Sequence, residues 1–189
     1  MLVVLTGPVR SGKSSCGLKL ALDSGRPVVI AVGARADDPE MSRRIARHRA
    51  ERPDSVSVVE TGDDPDWLER IPAESCLLVD CLGTVLGASL GSLVADEAEV
   101  ADAVAEERAA AVADALVERI VARSGPTVVV TNEVGWGIVP ATPLGRLFRD
   151  ALGRANRCLV DRADGAWLVV AGRCIDIRSQ PQEVSWPQI

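Results

Sequence analysis

Short apolar runs rich in β-branched residues alternate along the chain with longer segments of helical period. Runs at 2–6 (LVVLT), 27–32 (PVVIAV), 56–60 (VSVVE), 76–80 (CLLVD), 126–131 (PTVVVT) and 166–171 (AWLVVA) predict strands, with a last one near 173–178. Several are apolar throughout, as strands covered on both faces should be. Helices are predicted over 13–23, about 38–51, 64–70, 95–123 and 143–162. Within 95–123, Val112, Leu116 and Ile120 recur every four residues with Val117 and Val121 alongside, which marks a buried stripe. Asp96, Glu97, Glu99, Asp102, Glu106 and Glu107 load the first half of that segment and read as a solvated face favoured near a helix N-terminus. The alternation predicts an α/β protein with a mostly parallel central sheet, one domain over 1–180 and a polar, proline-broken tail at 181–189.

Composition narrows the classes. The chain has 189 residues, 47% of them hydrophobic and 25% charged, and no apolar run of the ~18 residues that would span a bilayer. The opening MLVVLTGP lacks a basic leader and a small-residue cleavage site, so a strand and a cytoplasmic protein are expected. A net charge of -6 argues against a nucleic-acid partner. Five scattered cysteines without a CxxC pair fit neither a disulfide framework nor a zinc site, and they read as small apolar residues. Lysine occurs only at Lys13 and Lys19 among 21 basic residues.

Lys13 lies in GPVRSGKS, the residues Gly7, Pro8, Val9, Arg10, Ser11, Gly12, Lys13 and Ser14. The segment matches the phosphate-loop pattern G-x4-G-K-[ST] and follows a predicted strand just where a helix is predicted to begin. In such a loop backbone N–H groups face phosphate oxygens, the lysine reaches the β- and γ-phosphates and the serine hydroxyl ligates Mg²⁺. The bland alternative is a glycine turn that binds nothing. Asp80 closes the apolar run CLLVD, the place for an acid that holds the metal or its water, although a strand-to-helix junction also uses Asp as a cap. Pattern and motif together predict a P-loop NTPase (RecA-like) three-layer fold with helices flanking the sheet.

The one histidine, His48, sits in RRIARHRAERP among five arginines. On a helix, Arg44, His48 and Arg52 share one face, and Arg43 and Arg47 share a neighbouring one. Crowded guanidinium groups repel, so an anion such as a triphosphate would relieve them. Positive neighbours also favour a neutral imidazole, which can attack phosphorus and form a phosphoramidate. A solvated arginine-rich helix face explains the same residues without chemistry.

Five segments in order, VVLTGPVRSGKS, RIARHRAERP, TNEVGWGIVP (131–140), LFRDALGRAN (147–156) and WLVVAG (167–172), resemble the bifunctional adenosylcobinamide kinase/adenosylcobinamide-phosphate guanylyltransferase family of cobalamin assembly. The resemblance spans nearly the whole chain. It implies phosphorylation of adenosylcobinamide by GTP or ATP, then transfer of GMP from a second GTP through a GMP-histidine on His48. The products would be adenosylcobinamide-GDP and pyrophosphate; Lys13 at the phosphates and Mg²⁺ as cofactor follow from the phosphate-loop motif. Implied nucleotide contacts are the loop Gly7 to Ser14, then Ala31, Val32 and Gly33, the segment Arg49, Ala50, Glu51 and Arg52, and Glu60 and Asp80. Two positions depart from the family pattern. Ala-Val-Gly stands where Ala-Thr-Ser is common, losing hydroxyls, and Asp80 stands where Glu is common.

Asn132 and Glu133 follow a predicted strand, at the crevice where open α/β sheets bind ligands. With Arg149, Arg154 and Asn156 they are candidates for the wall of a corrinoid site, the alternative being caps and structural ion pairs. The family further implies a homotrimer. Rival readings are a guanylyltransferase or P-loop kinase with a single activity, and a GTP-binding module without catalysis.

Overall fold

The computed structural model describes residues 1–33, 56–62, 64–91 and 103–183. The helix expected over 38–51, with His48 on it, and the first part of the helix expected over 95–123 lie outside the described residues.

Among the described residues seven strands form one sheet: β1 (Leu2–Thr6), β2 (Val28–Val32), β3 (Val56–Glu60), β4 (Cys76–Asp80), β5 (Thr127–Val130), β6 (Gly165–Val170) and β7 (Arg173–Asp176). Their spatial order is β3-β2-β4-β5-β1-β6-β7. Every pairing is parallel except β6 with β7, which is an antiparallel hairpin. The observed strands fall within one or two residues of those predicted, because continuous β-branched apolar runs suit a sheet buried on both sides.

Alternation along each strand sorts its side chains into two cores. Leu2, Val4, Val29, Ala31, Leu77, Val79 and Val129 face one layer, made by α2 (Leu82–Gly91), α3 (Ala103–Ala122) and α4 (Pro143–Arg162). Val3, Leu5, Val28, Ile30, Leu78, Val128 and Val130 face the other, where α1 (Lys13–Asp23) lies. Gly17 lets α1 sit low on the sheet, since a Cβ there would come within 2.7 Å of Val130 Cγ2.

Two helical expectations change. The segment 64–70 forms only a 3-10 turn, Trp67–Arg70. Pro65 and Pro72 bracket it too closely for an α-helix, and the buried indole of Trp67 anchors it instead. Conversely, α2 was not anticipated, because Gly83, Gly87 and Gly91 depress helix propensity. Packing overrides that. Leu82, Val85, Leu86 and Leu90 are buried, and Gly83 and Gly87, one turn apart, face α4, where a Cβ would reach ordinary contact with Leu152 Cδ2 (3.4 Å) and Phe148 Cε2 (3.7 Å).

Candidate active site

The strand register aligns Asp80 on β4, Val130 on β5 and Leu5 on β1, so the segments that follow them emerge side by side at the carboxyl edge of the sheet. The loop from Gly7 to Gly12 leaves β1 there and delivers the chain into α1. Its curvature needs positive φ at Gly7 (143°), Arg10 (59°) and Gly12 (99°). Gly7 also lies against the Val169 carbonyl, where any Cβ would collide. Gly12 is the N-cap of α1 and, among the described residues, no side chain caps that end, so the first-turn amides keep their capacity to bind an anion.

Lys13 is 5% exposed, and its ammonium donates to Gly7 O at 2.9 Å, Pro8 O at 2.7 Å and Ser11 Oγ at 3.4 Å. Burial lowers its pKa from the ordinary lysine value, and Cys81, Asp80 and Glu133 act in the opposite direction. Ser14 Oγ donates to Asp80 Oδ1 at 3.0 Å, which brings together the two residues assigned to the metal. A hydroxyl and a carboxylate oxygen are hard donors of the kind Mg²⁺ takes alongside substrate phosphates.

A polar network joins the neighbouring strand ends. Glu133 Oε1 accepts from Thr6 Oγ1 and from Asn156 Nδ2 (3.1 Å), and the Glu133 amide donates to Gly7 O at 3.3 Å. Asn156 Nδ2 also donates to Asn132 O at 3.0 Å, and Asn156 Oδ1 accepts from Thr131 Oγ1 at 2.6 Å. Asn132, Glu133 and Asn156 therefore belong to one cluster touching the phosphate loop. Thr6 and Thr131 complete it, and sequence reasoning missed both; a threonine ending an otherwise apolar strand was the available signal.

The other candidates spread out. Ala31 and Val32 turn their side chains into the core, leaving only backbone for a ligand. Gly33 abuts the backbone of Thr84 and Val85 so closely that a Cβ would overlap it, so this backbone position takes glycine alone. Glu60 ends β3 with an exposed side chain, and its carbonyl accepts from Arg70 Nη2 at 3.0 Å. Arg149 lies seven residues before Asn156 on the same face of α4, about 10 Å nearer the helix start, with its Nε on Asp150 Oδ1 at 3.0 Å. Arg154 does not join the cluster. It points to the opposite side of α4 and holds Asp114 of α3 by two hydrogen bonds of 2.7 Å. His48, Arg49, Ala50, Glu51 and Arg52 lie outside the described residues.

A glycine loop into a helix N-terminus, its lysine, and a serine paired to a strand-end aspartate define a P-loop nucleotide-binding enzyme. The chain belongs to the cobinamide kinase / cobinamide phosphate guanyltransferase family, whose model matches residues 3–177. It is 36% identical over 185 residues to the bifunctional adenosylcobalamin biosynthesis protein CobU of Escherichia coli, covering 94% of this chain and 100% of that protein. It is 34% identical over 180 residues to the bifunctional protein CobP of Pseudomonas aeruginosa, covering 94% and 98%. Among solved structures, the RadB recombinase matches with a TM-score of 0.43 and 16% identity over 88% of this chain and 73% of that one, too distant to bear on chemistry.

Proposed function

We propose that the protein phosphorylates the aminopropanol hydroxyl of adenosylcobinamide with GTP or ATP and then transfers GMP from GTP to the phosphate so formed. The observation that carries this reading is the Lys13 ammonium buried in its own loop, beside the Ser14–Asp80 pair at the carboxyl edge of the sheet. Family membership supplies the substrate class.

On nucleotide binding, the α1 amides receive phosphate oxygens, and Lys13 exchanges the Gly7 and Pro8 carbonyls for β- and γ-phosphate oxygens. Mg²⁺, held by Ser14 and Asp80, would neutralise charge on those phosphates. Glu133, fixed by Thr6 and Asn156, keeps the β5 end fastened to the loop, so the acceptor wall and phosphate cradle move as one. Exposed Val9, Trp136, Ile138 and Val139 offer apolar surface at this edge for the corrin rim. In the second reaction an imidazole nitrogen of His48 attacks the α-phosphorus of GTP and pyrophosphate leaves. A phosphate oxygen of adenosylcobinamide phosphate then displaces the histidine, giving adenosylcobinamide-GDP.

Separate assays test this: γ-labelled GTP or ATP with adenosylcobinamide, and α-labelled GTP with adenosylcobinamide phosphate. Label should enter the corrinoid in both. Label in one assay alone would reduce the protein to a kinase or a guanylyltransferase, and GTP binding with neither transfer would make it a binding module.

A further inference from the structure

The phosphate loop is braced from behind by the β6–β7 hairpin. Its two-residue turn, Ala171 (φ 49°) and Gly172 (φ 74°), has the left-handed conformations of a tight hairpin turn. Gly172 N–H donates to Ser11 O at 2.8 Å, and Gly172 Cα lies 3.5 Å from where a Gly12 Cβ would stand. The Val169 carbonyl closes on Gly7. Cys174, paired across the hairpin with Val169, is exposed, and its Sγ lies 3.7 Å from Sγ of half-buried Cys16 in the first turns of α1. Two thiols 158 residues apart in sequence thus meet two residues beyond Ser14.

We propose that Cys16 and Cys174 form a reversible redox site, whose oxidation to a disulfide ties the hairpin to α1 and weakens nucleotide binding at the phosphate loop. The oxidant class is a low-molecular-weight disulfide. The Cys174 thiolate attacks one sulfur of the oxidant and expels the first small thiol, leaving a mixed disulfide on Cys174. The Cys16 thiolate then attacks Cys174 Sγ, releasing the second small thiol; the two cysteines lose two protons and two electrons, and the oxidant gains them. Exposure puts Cys174 first in line. Burial, followed by the Cys174 contact, raises the Cys16 pKa and disfavours its thiolate, so Cys16 reacts second, where its position 3.7 Å from Cys174 makes the step intramolecular. A disulfide needs its sulfurs about 2.05 Å apart, so the pair must close by roughly 1.7 Å. The bridge then fastens the start of α1 to the hairpin, so the Lys13 and Ser14 amides, three and two residues from Cys16, lose freedom to adjust to incoming phosphate oxygens.

The test equilibrates the full-length protein in glutathione buffers from fully reduced to fully oxidised, followed by intact mass, peptide mapping and GTP binding by equilibrium dialysis. A species lighter by two hydrogens, with a Cys16–Cys174 cross-linked peptide, should accumulate, bind GTP several-fold more weakly and recover with dithiothreitol. Cys174→Ser should form no such species and bind GTP equally in every buffer. Absence of the bridged species in wild type, or a bridged species that binds GTP as tightly as the reduced protein, overturns the proposal. Wild type before and after dithiothreitol decides it even if the variant folds poorly.

Discussion

Two cations end up surrounded by carbonyls at opposite edges of the same sheet, and they do different work. At the amino edge, Arg123 donates to Pro72 O (2.7 Å), Ser75 O (3.0 Å) and Pro126 O (3.0 Å), with Ser75 Oγ and Thr127 Oγ1 nearby. At the carboxyl edge, the acceptors of Lys13 among the described residues all lie in its own loop, within six residues. Burial lowers the pKa of both. Arg123 joins segments about 50 residues apart; Pro72 O also accepts from Ser75 N–H and Oγ and Pro126 O from Leu77 N–H, so releasing the guanidinium removes a cross-link between those segments and one bond from each carbonyl. Lys13 can trade loop carbonyls for phosphate oxygens by a small swing of one flexible chain. Sequence-distant partners make the first cation a structural tie; sequence-local ones leave the second exchangeable.

The sharpest way to break this contrast is to remove each cation in turn. Lys13→Ala should cut phosphoryl transfer by about 10³-fold, the scale of losing a charged transition-state contact, with the melting temperature nearly unchanged. Arg123→Ala should leave kcat intact and cost roughly 2–4 kcal/mol, a drop of about 5–15 °C read by calorimetry. The reverse pattern would refute the division of labour. Asn156→Ala, at the seam between scaffold and site, should lose about 1–3 kcal/mol and also lower transfer, because Thr131 Oγ1 and Glu133 lose a shared partner.

The smallest effect belongs to the surface. Asp114→Asn should cost under about 1 kcal/mol by urea denaturation, since both partners of the Arg154 pair are well exposed. The hydrogen bond from Arg154, with its charge, holds the Asp114 pKa below the usual carboxylate value. A depressed folded-state pKa means the pair's contribution is present above about pH 4 and fades as pH falls through the folded pKa. Transfer activity should not change, which separates Arg154 from the Asn156 cluster it was grouped with by sequence.

Continuous apolar runs made the strands legible, and the strand–loop–helix setting made the phosphate loop legible with them. What escaped was decided by packing between distant segments. The glycines of α2 argue against a helix, and only the burial of Leu82, Val85, Leu86 and Leu90 shows why one forms there. Arg154 and Asn156, two residues apart, face opposite sides of one helix, and spacing alone could have separated them. Thr6 and Thr131 draw their roles from strand register. The adjacency of Cys16 and Cys174 depends on β7 folding back beside the loop, which no local spacing encodes.

In the proposed guanylyl transfer, His48 captures GMP covalently from a GTP held at the phosphate loop. Incubating the protein with GTP labelled at the α-phosphate, denaturing it and following the protein-bound label tests this most directly. Acid-labile, base-stable label mapping to His48 is predicted, absent in His48→Ala while that variant still phosphorylates adenosylcobinamide. Guanylyl transfer that proceeds at wild-type rate in His48→Ala, or a wild type that never holds the label, would contradict it.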